Sequence, residues 1–269
     1  MNAENLNVAA IQTSLFWEDK EKNLHMFTEK IRAHREPADV YVLPEMFTTG
    51  FSMRSEQFAE SMNGPTHEWM QAMAKEKNAA VTGSIIVKDG SSYYNRLLWV
   101  NPDGFTSHYD KRHLFRMGQE EKHYSPGIKR MIVDYRGWRI CLQVCYDLRF
   151  PVWSRNRFLV ENGNAEAEYD VLVYVANWPE RRSHVWKTLL MARAIENACY
   201  VVGVNRVGND GHFIYHTGDS ALYNFRGEII KTGIISAEEI LLGRLSMQDL
   251  REYRKSFPVG LDADRFTIQ

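Results

Sequence analysis

Short apolar, β-branched runs recur along this chain, separated by polar stretches. They begin at Leu6 ("LNVAAIQ"), Ala38 ("ADVYVLPE"), Ala79 ("AAVTGSIIV"), Asn95 ("NRLLWVN"), Trp138 ("WRICLQVC"), Tyr169 ("YDVLVYVANWP"), Cys199 ("CYVVGVNRVG") and Glu239. Bounded by turn residues, they read as buried strands. Between them the period lengthens. Lys20 to His34 sets Leu24, Phe27 and Ile31 at helical spacing, and Thr66 to Lys77 does the same with Trp69, Met70 and Met73. Two further helices are predicted, from Val152 to Asn162 and from Ser183 to Asn197, the latter turning Trp186, Leu189, Leu190 and Ala194 inward. Strands alternating with helices predict an α/β layered fold. The Asp-Gly pairs in "VKDGSSYYN" and "VNPDGFTS" supply the positive backbone angles of tight turns, so the strands between Val81 and Tyr109 are expected to pair antiparallel.

Composition sets limits on the partners. The 269 residues are 44% hydrophobic and 25% charged, with a formal net charge of -1. No basic excess argues for nucleic acid or a membrane surface, which leaves a small molecule as the expected ligand. The opening "MNAENLNVAAIQTSLFWEDKEKN" lacks the basic and apolar segments of a secretory signal, and no long uninterrupted apolar run follows, so a cytoplasmic protein is expected. Cys141, Cys145 and Cys199 form no C-x-x-C pair. On one strand, Cys141 and Cys145 would lie about 13 Å apart, beyond the roughly 7 Å reach of a disulfide.

Open-sheet enzymes place their chemistry just beyond the carboxyl ends of strands. Three strands here end in residues suited to such a site: Glu45 after "VYVLP", Lys111 after "SHYD" and Cys145 after "RICLQV". Poor solvation would raise the Glu45 pKa toward neutrality, which suits a group that takes and returns a proton; the alternative is a surface carboxylate capping the strand. Lys111 lies in "YDKRHLFRMGQEEKHYSPG", either a binding loop or a solvated cationic patch. Near a cysteine it would favour thiolate and stabilise an oxyanion. Cys145 precedes "YDLRFP", a strand, turn and helix arrangement like other nucleophile elbows, with Pro151 opening the helix. Cys141 is read as a packing residue.

At these residues the chain resembles the nitrilase superfamily of carbon-nitrogen hydrolases. "LPEMFTTGF", "YDKRHLF" and "QVCYDLRFP" occur in the family's order and at family-like spacing, and "ANWP", "RAIENACYVVGVNRVG" and "HTGDSALYN" extend the match over nearly the whole chain. "EMFTTGFSM" and "YRKSFPVGLDADRF" resemble the bacterial ω-amidases, which release ammonia from 2-oxoglutaramate and related 2-oxo acid amides. The resemblance implies one domain over residues 1–269, a four-layer αββα sandwich, a homodimer, and no metal or organic cofactor. It also implies Glu45 as general base, Lys111 as oxyanion-stabilising cation, Cys145 as nucleophile and Glu120 as an additional positioning glutamate. The backbone N–H of Tyr146 would join Lys111 at the oxyanion. At roughly 3 to 4 kcal/mol per donor in the barrier, Lys111→Ala is expected to impair chemistry far more than folding.

A 2-oxo acid amide carries a carboxylate remote from its amide. Arg116 and Arg149 are the candidates to bind it; Arg116 is preferred for its place in the loop, and Arg149 could instead organise the elbow. Phe47, Phe115 and Trp178 are expected to wall the pocket. Nitriles and N-carbamoyl compounds could use the same three central residues. Rival readings are a cysteine-histidine hydrolase using His113 and, from another class, a thiol redox sensor or interaction protein, although no second cysteine is placed to resolve a sulfenic acid. His108, His113 and His123 lack a recognised metal-ligand spacing.

Overall fold

The protein, a computed structural model describing residues 4–162 and 164–268, is built on two six-stranded sheets. The first runs, in spatial order, β16 (Glu239–Ser246), β1 (Asn5–Gln12), β2 (Val40–Val42), β3 (Ala80–Asp89), β4 (Ser92–Val100) and β5 (Thr106–Asp110). The second runs β15 (Ile229–Thr232), β14 (Ala221–Tyr223), β11 (Tyr200–Asn205), β10 (Val171–Ala176), β7 (Trp138–Val144) and β6 (Met131–Tyr135). Two hairpins stand outside them: β8 (Phe158–Glu161) with β9 (Asn164–Ala167), and β12 (Val207–Asn209) with β13 (Tyr215–Thr217).

The centre of each sheet is parallel. β1, β2 and β3 run together in the first, and β7, β10 and β11 in the second. From β3 to β5 the pairing is antiparallel, as the Asp-Gly turns require. β5 therefore points the same way as β3, and the strands leading to Glu45, Lys111 and Cys145 end at one edge of the molecule.

The runs are apolar on both faces because the inner strands are covered twice. Along β1, Leu6, Val8 and Ala10 pack between the sheets against Val171, Val173 and Ile140. Ala9 and Ile11 face the other way, onto Phe27 and Ile31 of α1 (Lys20–Ala33) and Met70 and Met73 of α3 (Pro65–Lys77). Across the second sheet lies α5 (Ser183–Asn197), close enough that a Cβ at Gly203 of β11 would meet Leu190 at 2.4 Å. Only glycine permits that approach. The layers run helix, sheet, sheet, helix, as the resemblance implies. Among the described residues no helix is long and apolar enough to cross a membrane.

Three of the four predicted helices form within a residue or so of their expected ends. The exception is the helix expected from Val152 to Asn162, which stops after one turn, α4 (Pro151–Ser154). Asn156 diverts the chain: it is buried, its N–H donates to Asn197 Oδ1 at 2.8 Å, and its side-chain amide donates to Tyr169 O at 2.9 Å. The following "FLVE" alternates between half-buried and exposed positions, a strand period rather than a helical one. Two short helices went unpredicted, α2 (Ser55–Phe58) and α6 (Met247–Ser256). The start of α6 carries a readable sign, Ser246 Oγ accepting from Asp249 N at 3.2 Å.

Candidate active site

Four strand ends build the site, two from each sheet. Glu45 follows β2 by three residues, Lys111 follows β5 directly, Cys145 follows β7 directly, and Asn177 follows β10 directly. The sandwich thus brings together groups up to 132 residues apart.

Lys111 is the hub. Its Nζ lies 2.8 Å from Glu45 Oε1, and 3.0 and 2.9 Å from the two oxygens of Glu120. Glu45 and Glu120 are 0% exposed and Lys111 1%. Glu45 is held from every side: Asn95 Nδ2 donates to Oε1 at 2.8 Å and the Asn177 N–H to Oε2 at 2.8 Å. Glu120 also accepts the Phe115 N–H at 2.6 Å and Asn95 Nδ2 at 3.2 Å. An ammonium has three donors and three carboxylate oxygens lie within reach of this one, so a ligand oxygen at Lys111 must share or displace one of the Glu45 and Glu120 contacts. Lys111 is no part of a solvated patch.

Burial alone would push the Glu45 carboxyl up, but the Lys111 ammonium with the Asn177 and Asn95 hydrogen bonds holds it below the ordinary carboxylate value. This reverses the sequence expectation of a carboxyl raised toward neutrality, because burial arrives here together with a buried cation. Glu120 moves the other way, raised by burial and by the neighbouring Glu45 charge against the pull of Lys111. Burial and the Glu45 carboxylate likewise hold the Cys145 thiol well above its ordinary value despite Lys111. The resting pair is therefore a neutral thiol beside a carboxylate, correcting the expectation of a lysine-stabilised thiolate.

Cys145 is 9% exposed and opens a 3-10 turn, Cys145–Arg149, at φ +44°, a left-handed conformation that side chains seldom adopt. Asp147 fixes that elbow. Its buried carboxylate accepts Val144 N at 3.1 Å, Tyr109 OH at 2.8 Å, His113 N at 2.9 Å and His113 Nδ1 at 2.7 Å. Tyr109 and His113 flank Lys111 by two residues, so one carboxylate ties the nucleophile's turn to the lysine's loop. His113 is committed to Asp147 and stacks on Phe150 at 3.7 Å, outside the cavity that holds Cys145. That geometry removes His113 as the base of a cysteine-histidine pair.

Cys145 and Lys111 open onto a cavity of about 620 Å³ walled by Phe51, Phe115, Tyr146 and Trp178. Phe115 and Trp178 stand where expected. Phe47 does not: it is fully buried among Phe27 and Trp69 on the far side of the first sheet, and Phe51, four residues on, takes the wall position 5.1 Å from Lys111 Nζ. Among the arginines, Arg149, Arg181 and Arg182 line the cavity, whereas Arg116 is exposed and outside the lining. Sequence reading passed over Asn95, Asn177 and Arg182. Asn95 is the polar interruption of an apolar strand, and Asn177 sits in the quoted "ANWP" at a strand's carboxyl end. Cys141, Cys145 and Cys199 are all free thiols, and the described residues form no group of three or more His, Cys, Asp or Glu that could hold a metal ion.

Comparison with known proteins extends over nearly the whole chain. A family model described as carbon-nitrogen hydrolase matches residues 7–255. The chain is 46% identical to an Escherichia coli protein named omega-amidase YafV, over 98% of both chains. It is 32% identical to a Bacillus subtilis 2-oxoglutaramate amidase over 88% of both. A CN-hydrolase superfamily protein from Xanthomonas campestris, whose crystal structure carries an arsenic adduct in the active site, is 43% identical, with a TM-score of 0.95 over 99% of this chain and 100% of that one.

Proposed function

Because this chain belongs to the carbon-nitrogen hydrolase family, we propose that it works as an ω-amidase, hydrolysing the side-chain amide of small 2-oxo dicarboxylic acid monoamides through a Cys145 thioester. The observation that carries the reading is the buried Glu45–Lys111–Glu120 cluster beside a strained cysteine, in a chain 46% identical to a named ω-amidase.

An amide is a weak electrophile and ammonia a poor leaving group, so the site must supply a nucleophile, an oxyanion pocket and a returned proton. Glu45, ionised at rest, takes the Cys145 proton as sulfur attacks the amide carbon. The carbonyl oxygen becomes an oxyanion held by the Lys111 ammonium and the Tyr146 backbone N–H. Glu45 then gives its proton to nitrogen, the C–N bond breaks, and ammonia leaves a thioester. Water, deprotonated by Glu45, attacks that thioester; collapse breaks the C–S bond, the sulfur recovers its proton from Glu45, and the 2-oxo acid departs. Glu120 touches no reacting atom: it holds Lys111, and through the Phe115 N–H it holds the wall.

A primary amide is favoured over a nitrile by the identity to a named ω-amidase. A single catalytic domain in a reducing, cytoplasmic setting agrees with the three free thiols. The homodimer has a candidate surface in the exposed apolar side chains of Val152, Met191 and Ile195.

The test is ammonia release from 2-oxoglutaramate, 2-oxosuccinamate, glutamine, a small nitrile and an N-carbamoyl amino acid, with Cys145→Ala as control. The oxo amides are expected to turn over best. Turnover of only nitriles or carbamoyl compounds overturns the reading.

A further inference from the structure

Asn95 stands where the apolar run of β4 begins, and it is 0% exposed. β4 lies between β3 and β5, so its backbone is fixed on both sides. The Asn95 carbonyl accepts the Lys111 N–H at 3.0 Å, which sets the two residues side by side at the end of the β4–β5 pair.

The Asn95 amide closes a ring. Its Nδ2 donates to Glu45 Oε1 at 2.8 Å and to Glu120 Oε1 at 3.2 Å, and Lys111 Nζ reaches the same two oxygens at 2.8 and 3.0 Å. The two carboxylates are thus bridged twice, once by a cation and once by a neutral amide. This sets the amide's orientation, because turned over it would point Oδ1 at two carboxylate oxygens. As it stands, Oδ1 is buried without a hydrogen-bond partner among the described residues. An unpartnered buried acceptor lowers stability, and the hold of Nδ2 on two carboxylates offsets that loss.

The bridge matters most when Lys111 has work to do. Its three donors face three carboxylate oxygens, so an oxyanion takes up a donor that one of them now has. Each of those oxygens has a second donor. For Glu120 Oε2 it is the Phe115 N–H at 2.6 Å, and for both Oε1 atoms it is Asn95. Without Asn95, a shift of Lys111 would strip a buried carboxylate oxygen of its last donor, which the interior penalises heavily.

We propose that Asn95 is a positioning residue for the hydrolysis, holding the Glu45 and Glu120 carboxylates in place while Lys111 turns one N–H toward the substrate's oxyanion. It touches no reacting atom and works through Glu45 and Lys111. The role rests on the amide-hydrolysis steps given to those two residues, not on which 2-oxo acid amide is preferred. It also bears on the proton, since a donor on a carboxylate favours the ionised form, and the Asn95 hydrogen bond is among those that hold Glu45 low. The titratable groups around Glu45 are Lys111, Glu120, Cys145 and Tyr124, and an uncharged replacement of Asn95 leaves all four in place.

Two variants test it, with thermal unfolding as a check of folding. Asn95→Leu keeps the approximate size and removes both donors; Asn95→Thr keeps one donor on a side chain suited to a strand. On 2-oxoglutaramate, Asn95→Leu should lower kcat on the order of 100-fold with KM within about threefold of wild type, and Asn95→Thr should recover part of the loss.

The second measurement needs no turnover. Cys145 is alkylated with iodoacetamide from about pH 5 to about pH 8, and the rate is followed by mass spectrometry. The wild-type rate should be level, since the Glu45 pKa lies below 4.5 and that of the thiol well above 9.0. In Asn95→Leu the Glu45 pKa should rise by about one unit or more, so that the rate falls at the acid side of the window, with Asn95→Thr in between. A purely structural role would lower the amount of folded protein and leave the profile level. A folded leucine variant with a level profile, or with kcat within about threefold of wild type, overturns the proposal. If the leucine variant does not fold, the threonine variant decides, and wild-type values in both measurements overturn the proposal. If the wild-type protein does not hydrolyse 2-oxoglutaramate, the ω-amidase reading falls, and the alkylation profiles still decide the role of Asn95.

Discussion

The two ends of the cavity are held together in different ways. At the inner end, Glu45, Lys111 and Glu120 are sealed from solvent, and each carboxylate oxygen has a donor within 3.0 Å. At the mouth, Arg149 is exposed, Arg182 half-buried, and Met117 and Phe213 are 72% and 87% exposed. Geometry fixed by many mutual contacts resists change, whereas side chains with few contacts can be replaced at little cost to folding. The bond-breaking half is therefore committed to one chemistry, and substrate choice falls to the mouth.

The largest effect should come from the inner end. Cys145→Ala should remove activity by about 100,000-fold or more, since no other group can form the thioester. Glu45→Gln should cost on the order of 1,000-fold, the worth of a proton carrier used in both half-reactions. Both are read as kcat on 2-oxoglutaramate at unchanged thermal stability for Cys145→Ala. A Glu45→Gln enzyme with more than a tenth of wild-type kcat would remove Glu45 from its role as base.

Lys111→Ala comes next, and here burial changes the sequence expectation that chemistry would suffer far more than folding. Among the described residues the ammonium is the sole cation bonded to these two fully buried carboxylates. Removing it leaves their charge uncompensated, at about 3 to 5 kcal/mol. That corresponds to a fall in Tm on the order of 10 °C for a chain of this size. Adding Glu120→Gln should return part of that stability and none of the activity. A single variant that melts like the wild type would show that the inner end is less tightly coupled than its distances indicate.

What the sequence revealed follows the same division. Glu45, Lys111 and Cys145 were legible because each ends an apolar run, and a sheet turns that linear position into a shared edge. The direction of the Glu45 pKa was not, since its partners lie 50, 66 and 132 residues away and only the sandwich gathers them. The wall was misplaced by four residues because the turn after Glu45 passes through Met46 at φ +45° and Gly50 at φ +74°, burying Phe47 and presenting Phe51. The helix predicted from Val152 failed on one buried asparagine, whose side-chain bonds no periodicity foretells.

Asp147 joins the elbow to the lysine's loop without touching substrate. Asp147→Asn would turn an amide N–H₂ toward donors that now share one carboxylate. Misplacing Cys145 against Lys111 should lower kcat by up to about 100-fold with KM nearly unchanged. An equal loss on 2-oxoglutaramate and on 4-oxopentanamide, which has a methyl group in place of the carboxylate, would mark it as positioning; a loss confined to 2-oxoglutaramate would place it with the mouth.

A smaller effect is expected along the pH axis. Activity requires ionised Glu45, whose pKa lies below the ordinary 4.5, so kcat/KM should hold as pH falls through 4.5 and decline only below it. The Cys145 thiol lies well above 9.0, so no thiol ionisation should bend the profile up to that pH. Initial rates within the pH range where the fold persists would show this. A decline centred near neutrality would restore the raised carboxyl expected from sequence.

The smallest effect should be that of Arg116→Ala. Arg116 is only five residues from Lys111, yet its side chain is exposed and outside the cavity lining, in the turn Arg116–Gly118. Surface positions of this kind usually shift stability by no more than about 0.5 kcal/mol, and kcat/KM on 2-oxoglutaramate should stay within about twofold of wild type. Set beside Arg182→Ala, at a residue that lines the cavity, this variant separates nearness in sequence from nearness in space. A tenfold loss would mean that the turn swings over the mouth when substrate binds, so that the outer end, loosely held in the free protein, is completed by the ligand it selects.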